Sequence, residues 1–345
     1  MARRLSLALA LASLIALVAA HPAHAHATAG PRAASTSLRT VTIGMGYIPS
    51  VQFAPFYVAD QRGYYRRAGL KVTFDYASSP NLLQLVGAGR VDLAIADGTD
   101  AIAAVAQGVP IVYVMAEYQR FPVAIFSLAG SHIRSVADLR GKTIGVPGRY
   151  GATYVGLLAA LHAAGLRPAD VKIQTIGYTQ VESVATRKVD AAIGYSPNEP
   201  VLLARRGYKV NTIEVSAVAN LVGPGVVAGR SLIAHDPALV RAFVQATLHG
   251  MADAIANPHM AFTMALRVPG LTTLRGRDAT DQYAVLLRTI AFWHSPSTRA
   301  HGLGYADPMQ WRTSVRILHA IGQLPHMPEP ATLYANRFVT GSAKR

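Results

Sequence analysis

The sequence has no cysteine. That excludes disulfides, thiolate-held zinc or iron–sulfur sites, a cysteine nucleophile and a lipid-anchored N-terminal cysteine. Charge is sparse, at 15% of 345 residues, and acids are scarcer than bases: 18 Asp plus Glu against 33 Lys plus Arg, a formal charge of +15. The basic residues stand alone or in pairs such as Arg66-Arg67, Arg187-Lys188 and Arg205-Arg206. No basic helix is interleaved with stacking aromatics, so the charge reads as a solvated surface and nucleic acid is not expected as a partner. After the first twenty residues no stretch reaches the ~18 uncharged apolar residues that a membrane-spanning helix needs. There is no G-x-S-x-G elbow and no H-E-x-x-H pair, and no metal site is expected.

What the chain has in abundance is apolar residues, 51% of the total, enough for a sizeable core in one large domain or two. Arg3 and Arg4 precede the apolar run Leu5 to Ala20, and small-x-small sites follow at Ala23-His24-Ala25 and Ala25-His26-Ala27. This is the layout of a cleaved secretory signal over residues 1–27, with residues 28–40 as a linker. Cleavage leaves about +13 on the mature chain and places it in the periplasm or outside the cell.

From Val41 the chain alternates short β-rich runs with helical stretches, which predicts βαβ units, mostly parallel sheets and an α/β fold. Gln52 to Tyr65 reads as one helix and Ala279 to His294 as another. Two units echo each other. Arg90-Val-Asp-Leu-Ala-Ile95 closes the first and Lys188-Val-Asp-Ala-Ala-Ile193 closes the second. The repetition predicts two similar lobes. After Val226 the pattern turns helical, with Asp236 capping a long helix that has Pro237 at its first position.

Ligands of open α/β sheets bind beyond the carboxyl ends of the strands, so the loops there are the candidate site. They hold Tyr47, Gln52, Phe53, Phe56, Asp97, Asp100, Tyr118, Gln119, Tyr150, Gly151, Ala152, Thr153, Tyr195, Asn198 and Glu199. Rings for stacking beside amides and hydroxyls suit a flat organic ligand with polar edges. Each Tyr either caps the core with its hydroxyl in water or faces a cleft; four at equivalent strand ends favour a shared cleft. Glu199 is either a surface residue before Pro200 or an acceptor for ligand N–H groups. Asp97 is either a helix cap or, with Asp100, an acceptor for sugar-alcohol hydroxyls. Gly151, Ala152 and Thr153 open a helix whose N–H groups suit an anion, with Arg149 beside them. The histidines and lysines beyond the leader fall outside these loops, so neither a His base nor a cofactor-holding Lys is expected there.

The runs Gly46 to Asp60, Arg62 to Val72 and Leu139 to Pro147 resemble the solute-binding proteins of ABC importers, in the branch that groups nitrate, sulfonate and thiamine-pyrimidine binders. Tyr47 to Phe56, Val112 to Met115 and Ala219 to Gly225 are most similar to its riboflavin-uptake subgroup, which adds Asn220 to the candidate residues. The resemblance implies a type II periplasmic binding protein: two lobes joined by a two-strand hinge, closing on a small vitamin-like ligand, riboflavin or a pyrimidine thiamine precursor, and presenting it to a permease. It implies lobe 1 over 41–124 and 227–345, lobe 2 over 125–226, and crossings near Pro122–Leu128 and Val222–Arg230. It also implies a monomer without cofactor or catalysis. The alternatives it leaves are a nitrate, sulfonate or taurine binder, and an enzyme like the fungal pyrimidine synthases. Those synthases use a cysteine-rich motif that this chain lacks.

Overall fold

The structure is a computed structural model and describes residues 37–76 and 81–340. The expected signal segment, most of the linker and loop residues 77–80 lie outside the described residues. Arg39 and Thr40, expected in the linker, already pair with Leu70 and Lys71 as the start of a strand.

The first unit runs β1 (Arg39–Gly44), α1 (Ala54–Gln61), α2 (Tyr64–Arg67), β2 (Leu70–Asp75), α3 (Leu82–Gly87), β3 (Leu93–Asp97), α4 (Gly98–Ala106) and β4 (Ile111–Ala116). The second runs β5 (Val123–Leu128), β6 (Thr143–Val146), α5 (Gly151–Ala163), β7 (Lys172–Thr175), α6 (Gln180–Ala185), β8 (Ala191–Tyr195), α7 (Glu199–Arg205) and β9 (Val210–Glu214). The chain then returns as β10 (Pro224–Gly229) and ends in α8 (Arg230–His235), α9 (Pro237–Ala256), α10 (Pro258–Ala265), α11 (Gly276–Ile290), α12 (Pro296–His301) and α13 (Pro308–Ala320).

The strands form two five-stranded sheets with matching orders, β2-β1-β3-β10-β4 and β7-β6-β8-β5-β9. Three parallel strands in each are extended by an antiparallel one. In each sheet that antiparallel strand is the one that has just crossed from the other: β5 after β4, and β10 after β9. The crossings themselves are residues 117–122 and 215–223. Both expected crossing segments are instead ladder strands, because their backbone groups find partners inside a sheet.

The repeated Val-Asp motif has the same job in both sheets. The Asp92 carboxylate accepts the N–H of Thr42 at 2.8 Å, and that of Asp190 accepts the N–H of Thr143 at 2.7 Å. Each pins the start of a central parallel strand to its neighbour. The alanines that follow are fully buried, as strands covered by helices on both faces require.

Two sequence expectations shift. The helix expected over 52–65 starts as a 3-10 turn at Val51–Phe53 and breaks at Gly63, which takes a left-handed φ of 72°. The helix expected over 279–294 runs from Gly276 to Ile290. The C-terminal helices cover the first sheet. There α9 crosses α1 so closely that a Cβ on Gly250 would stand 2.2 Å from the Pro55 carbonyl oxygen. One helix, α13, touches both α4 and α5 and so spans the two sheets' helical layers. Its Trp311 packs edge-on against Tyr113 of β4, and its Ser314 hydroxyl accepts the N–H of Val222 in the second crossing.

Gly250→Ala is expected to destabilise the fold by about 1–3 kcal/mol, because backbone rather than a flexible side chain must give way. Urea denaturation checks it: a lower midpoint at unchanged slope is expected.

Candidate ligand cleft

The carboxyl ends of β1, β3 and β4 face those of β7 and β8 across the gap between the sheets, and the two sides touch. The Tyr195 hydroxyl, at the end of β8, donates to Asp97 Oδ1, at the end of β3, at 2.6 Å. Tyr47, after β1, meets Tyr178, after β7, edge-on at 6.1 Å between ring centres. Further out, Arg205 of α7 pairs with Asp281 of α11 at 2.7 Å, and Arg288 of α11 with Glu214 of β9 at 2.8 Å. In the described conformation the two lobes are thus in direct contact at both depths of the cleft.

Of the expected residues, Tyr47, Asp97, Asp100, Tyr195, Asn198 and Glu199 come together here. Asp97 makes no capping bond to α4; its carboxylate serves Tyr195 instead. Glu199 is not a free surface group, and part of its acceptor capacity is spent within the protein. Its Oε2 accepts the Tyr195 N–H at 2.7 Å, and its Oε1 takes the Asn198 amide at 3.3 Å. The absence of a side chain on Gly194 makes room for this fold-back, since a Cβ there would stand 2.7 Å from Glu199 Oε2.

The other expected residues are held by contacts of their own, with Tyr118 and Tyr150 still close to the cleft residues Tyr195 and Tyr178. Phe56 is fully buried against Phe53 and Phe243, because α1 turns that face into the core. Phe53 belongs to the same cluster. Tyr118 is buried too, its hydroxyl accepting from Gln52 Nε2 at 3.0 Å, so these two residues brace the end of β4 from within. Gln119 turns away, donating to the Tyr305 carbonyl and accepting from Ser295. Asn220 is a crossing residue whose Oδ1 accepts the Phe121 N–H at 3.1 Å, tying one crossing to the other. Tyr150 is 67% exposed, beside Tyr178 and over Gly148. Ala152 is packed in the core, while Gly151 and Thr153 are half-buried in the first turn of α5. The Arg149 guanidinium donates to the Ile173 carbonyl of β7.

Two further residues bear on the cleft: Tyr178, in it, and Glu117, buried at the end of β4 within electrostatic reach of Asp97 and of the buried Tyr57, Tyr65, Tyr113 and Tyr118. Tyr178 follows a strand just as the other tyrosines do, one residue after Gly177, and that rule was enough to find it. Glu117 lies in a loop already singled out, between β4 and Tyr118. It is 1% exposed, and neither carboxylate oxygen has a hydrogen-bond partner.

The cleft is acidic in a basic protein. Burial pushes Asp97 and Asp100 well above the usual carboxylate range, and for Asp100 the neighbouring Asp97 adds to it. Burial, then the charge of Asp97, raises Glu117 as well. Burial raises Glu199 to about 7, partly offset by backbone N–H groups and Asn198. Burial, then Glu199, then Tyr178 pushes the Tyr47 hydroxyl to about 12.

The matching model is that described as NMT1/THI5 like, over residues 50–261. The chain belongs to the NMT1/THI5-like family. Among relatives, the riboflavin-binding protein RibY of Chloroflexus aurantiacus is 41% identical over 325 residues, 93% of this chain and 92% of that protein. A 4-amino-5-hydroxymethyl-2-methylpyrimidine phosphate synthase of Legionella pneumophila is 26% identical over 67% of this chain and 74% of its own length. Among solved structures, the alkanesulfonate-binding protein SsuA of Xanthomonas axonopodis pv. citri, bound to MOPS, superposes with a TM-score of 0.64 at 19% identity, over 86% of this chain and 98% of that one. At that identity the likeness speaks for the fold alone. The fold of this NMT1/THI5-like chain is the two-lobed periplasmic binding protein fold.

A carboxyl group whose folded-state value lies above its unfolded one binds more proton in the folded state. Stability from such groups is complete below the unfolded value and is lost as pH rises through the folded one. For Glu199 that window runs from 4.5 to about 7. The ligand-free protein should therefore melt at a higher temperature at pH 5.5 than at pH 8, and Glu199→Gln should flatten part of that dependence.

Proposed function

We propose that this protein is the extracytoplasmic solute-binding component of an ABC importer, that it captures riboflavin between its lobes, and that the closed form docks on a membrane permease. The observation that carries this reading is the 41% identity to RibY across nearly the full length of both chains, C-terminal helices included. Cleft chemistry points the same way. Glu117 and Asp100 offer acceptors, Asp97 and Glu199 offer the lone pairs that Tyr195 and Asn198 leave open, the tyrosines offer rings, and among the described residues no Lys or Arg forms an ion pair with these carboxyl groups. A flavin brings an imide N–H and four ribityl hydroxyls as donors and a flat ring to stack. Nitrate or a sulfonate would meet carboxylates with no cation to offset them, which counts against the anion-binder alternative. A neutral pyrimidine precursor shares the donor chemistry and is the second reading.

Binding without turnover is the reading over the synthase alternative. The chain has no cysteine, and the cleft residues named above include no His or Lys to act as base or to hold a cofactor. Lobe 1 is taken as 41–124 with 227–345 and lobe 2 as 125–226. The mature protein acts as a monomer in the periplasm or outside the cell after loss of residues 1–27, free of lipid and without nucleic acid as partner.

Thermal melting with riboflavin, the aminopyrimidine precursor, thiamine, taurine and nitrate tests this. Riboflavin should raise the melting temperature through selective binding to the folded state, with its fluorescence quenched. A shift with taurine or nitrate and none with riboflavin would overturn it. Tyr47→Ala should weaken riboflavin binding by about 1–3 kcal/mol if the ring stacks on the ligand; calorimetric titration measures the loss.

A further inference from the structure

Among the described residues, Glu117 is the carboxyl group with both oxygens buried and unpartnered. It directly follows β4, and its N–H donates to the Pro224 carbonyl of β10 at 3.1 Å. Pro224 pairs on its other side with Asp97, the last residue of β3. Glu117 and Asp97 therefore flank one residue of β10, with backbones about 10 Å apart at the ordinary strand spacing. Both lie on the edge of the first sheet that faces the second.

A carboxyl group 1% exposed with both oxygens unpartnered is costly, and a buried polar group without a partner needs a reason. A structural role would show as a bond to a backbone N–H, a hydroxyl or a cation, as at Asp92, Asp97 and Glu199. Glu117 makes none. Of the other buried atoms without a partner, the one placed at these strand ends is the hydroxyl of Thr99, in the first turn of α4, two residues after Asp97 and also 1% exposed. Two orphaned polar groups at the ends of β3 and β4 are what a recognition surface needs: acceptor and donor capacity not spent on the protein itself.

We propose that Glu117, with Thr99 beside the same strand ends, is the recognition group for the N–H and C=O edge of a planar heterocycle. The proposal rests on the binding reading above and assigns the ends of that ligand. The deep, enclosed Glu117 takes the ring edge, and the half-buried Asp97, Asp100 and Glu199 take the ligand's hydroxyls. A carboxyl group accepts from the ring N–H and, when it holds a proton, donates to the adjacent carbonyl, a two-bond pairing. Glutamine offers the same pair of functions; leucine offers neither.

The test uses the mature chain, riboflavin, and riboflavin methylated at the imide nitrogen, with flavin fluorescence quenching as readout. The unaltered protein should bind the methylated ligand at least about tenfold more weakly, since a site built to bond an N–H rejects the analogue lacking it. Glu117→Leu should lose at least about tenfold for riboflavin and stop distinguishing the two ligands, whereas Glu117→Gln should stay within about threefold. Equal binding of riboflavin by Glu117→Leu and the unaltered protein would overturn the proposal. Equal binding of both ligands by the unaltered protein would overturn it too, and that comparison holds even where Glu117→Leu fails to fold. No flavin binding by the unaltered protein would overturn the binding reading and this assignment together.

Discussion

A carboxyl group taken out of water must find donors, a cation or a proton. Between the two sheets four of them, Asp97, Asp100, Glu117 and Glu199, are gathered where donors are few. Tyr195 supplies most of what there is, its hydroxyl to Asp97 and its N–H to Glu199. One residue at the end of β8 thus joins the sheets through its side chain and anchors the turn into α7 through its backbone. A small molecule rich in N–H and O–H groups relieves the remaining demand, and an anion worsens it. The acidity of the cleft therefore bears on ligand choice, while the fold it sits in is shared with sulfonate binders.

The reciprocal exchange of strands gives closure its mechanical setting. Because β5 and β10 are each inserted into the sheet that the other has left, two short crossings connect the lobes, and both are fastened. Asn220 ties them to each other, and α13 lies against both helical layers with Ser314 holding Val222. The lobes are fastened on this side, while on the far side they meet through side chains alone, Tyr47 against Tyr178 and Arg205 against Asp281. Hinge closure of this kind selects a ligand-bound shape that a partner can read.

Much of this was legible in the sequence. The Val-Asp-x-Ala-Ile repeat announced two similar α/β units, and each Asp proves to pin matching strands. The strand-end rule located the cleft and gathered Tyr47, Asp97, Tyr195 and Glu199. It was weaker where side-chain direction decides: Phe56 lies on the core face of α1, Gln119 turns to Tyr305 and Ser295, and Asn220 turns to the other crossing. Periodicity says where a loop is, not which way its residues turn. Glu117 was hidden for a related reason. Next to Tyr118 and Gln119 it looked like any loop acid, and only its burial without a partner sets it apart. The crossings were misplaced by a few residues because β5 and β10 read as apolar runs whether they span lobes or pair within a sheet.

The central claim is that this two-lobed protein holds a neutral, donor-rich flavin and does no chemistry on it. Calorimetric titration of the mature protein with riboflavin, followed by recovery and mass analysis of the ligand, tests it most directly. The account predicts saturation at one riboflavin per chain, with the ligand recovered unchanged and taurine giving no heat. Saturable binding of taurine without riboflavin binding, or recovery of a chemically altered flavin, would contradict it.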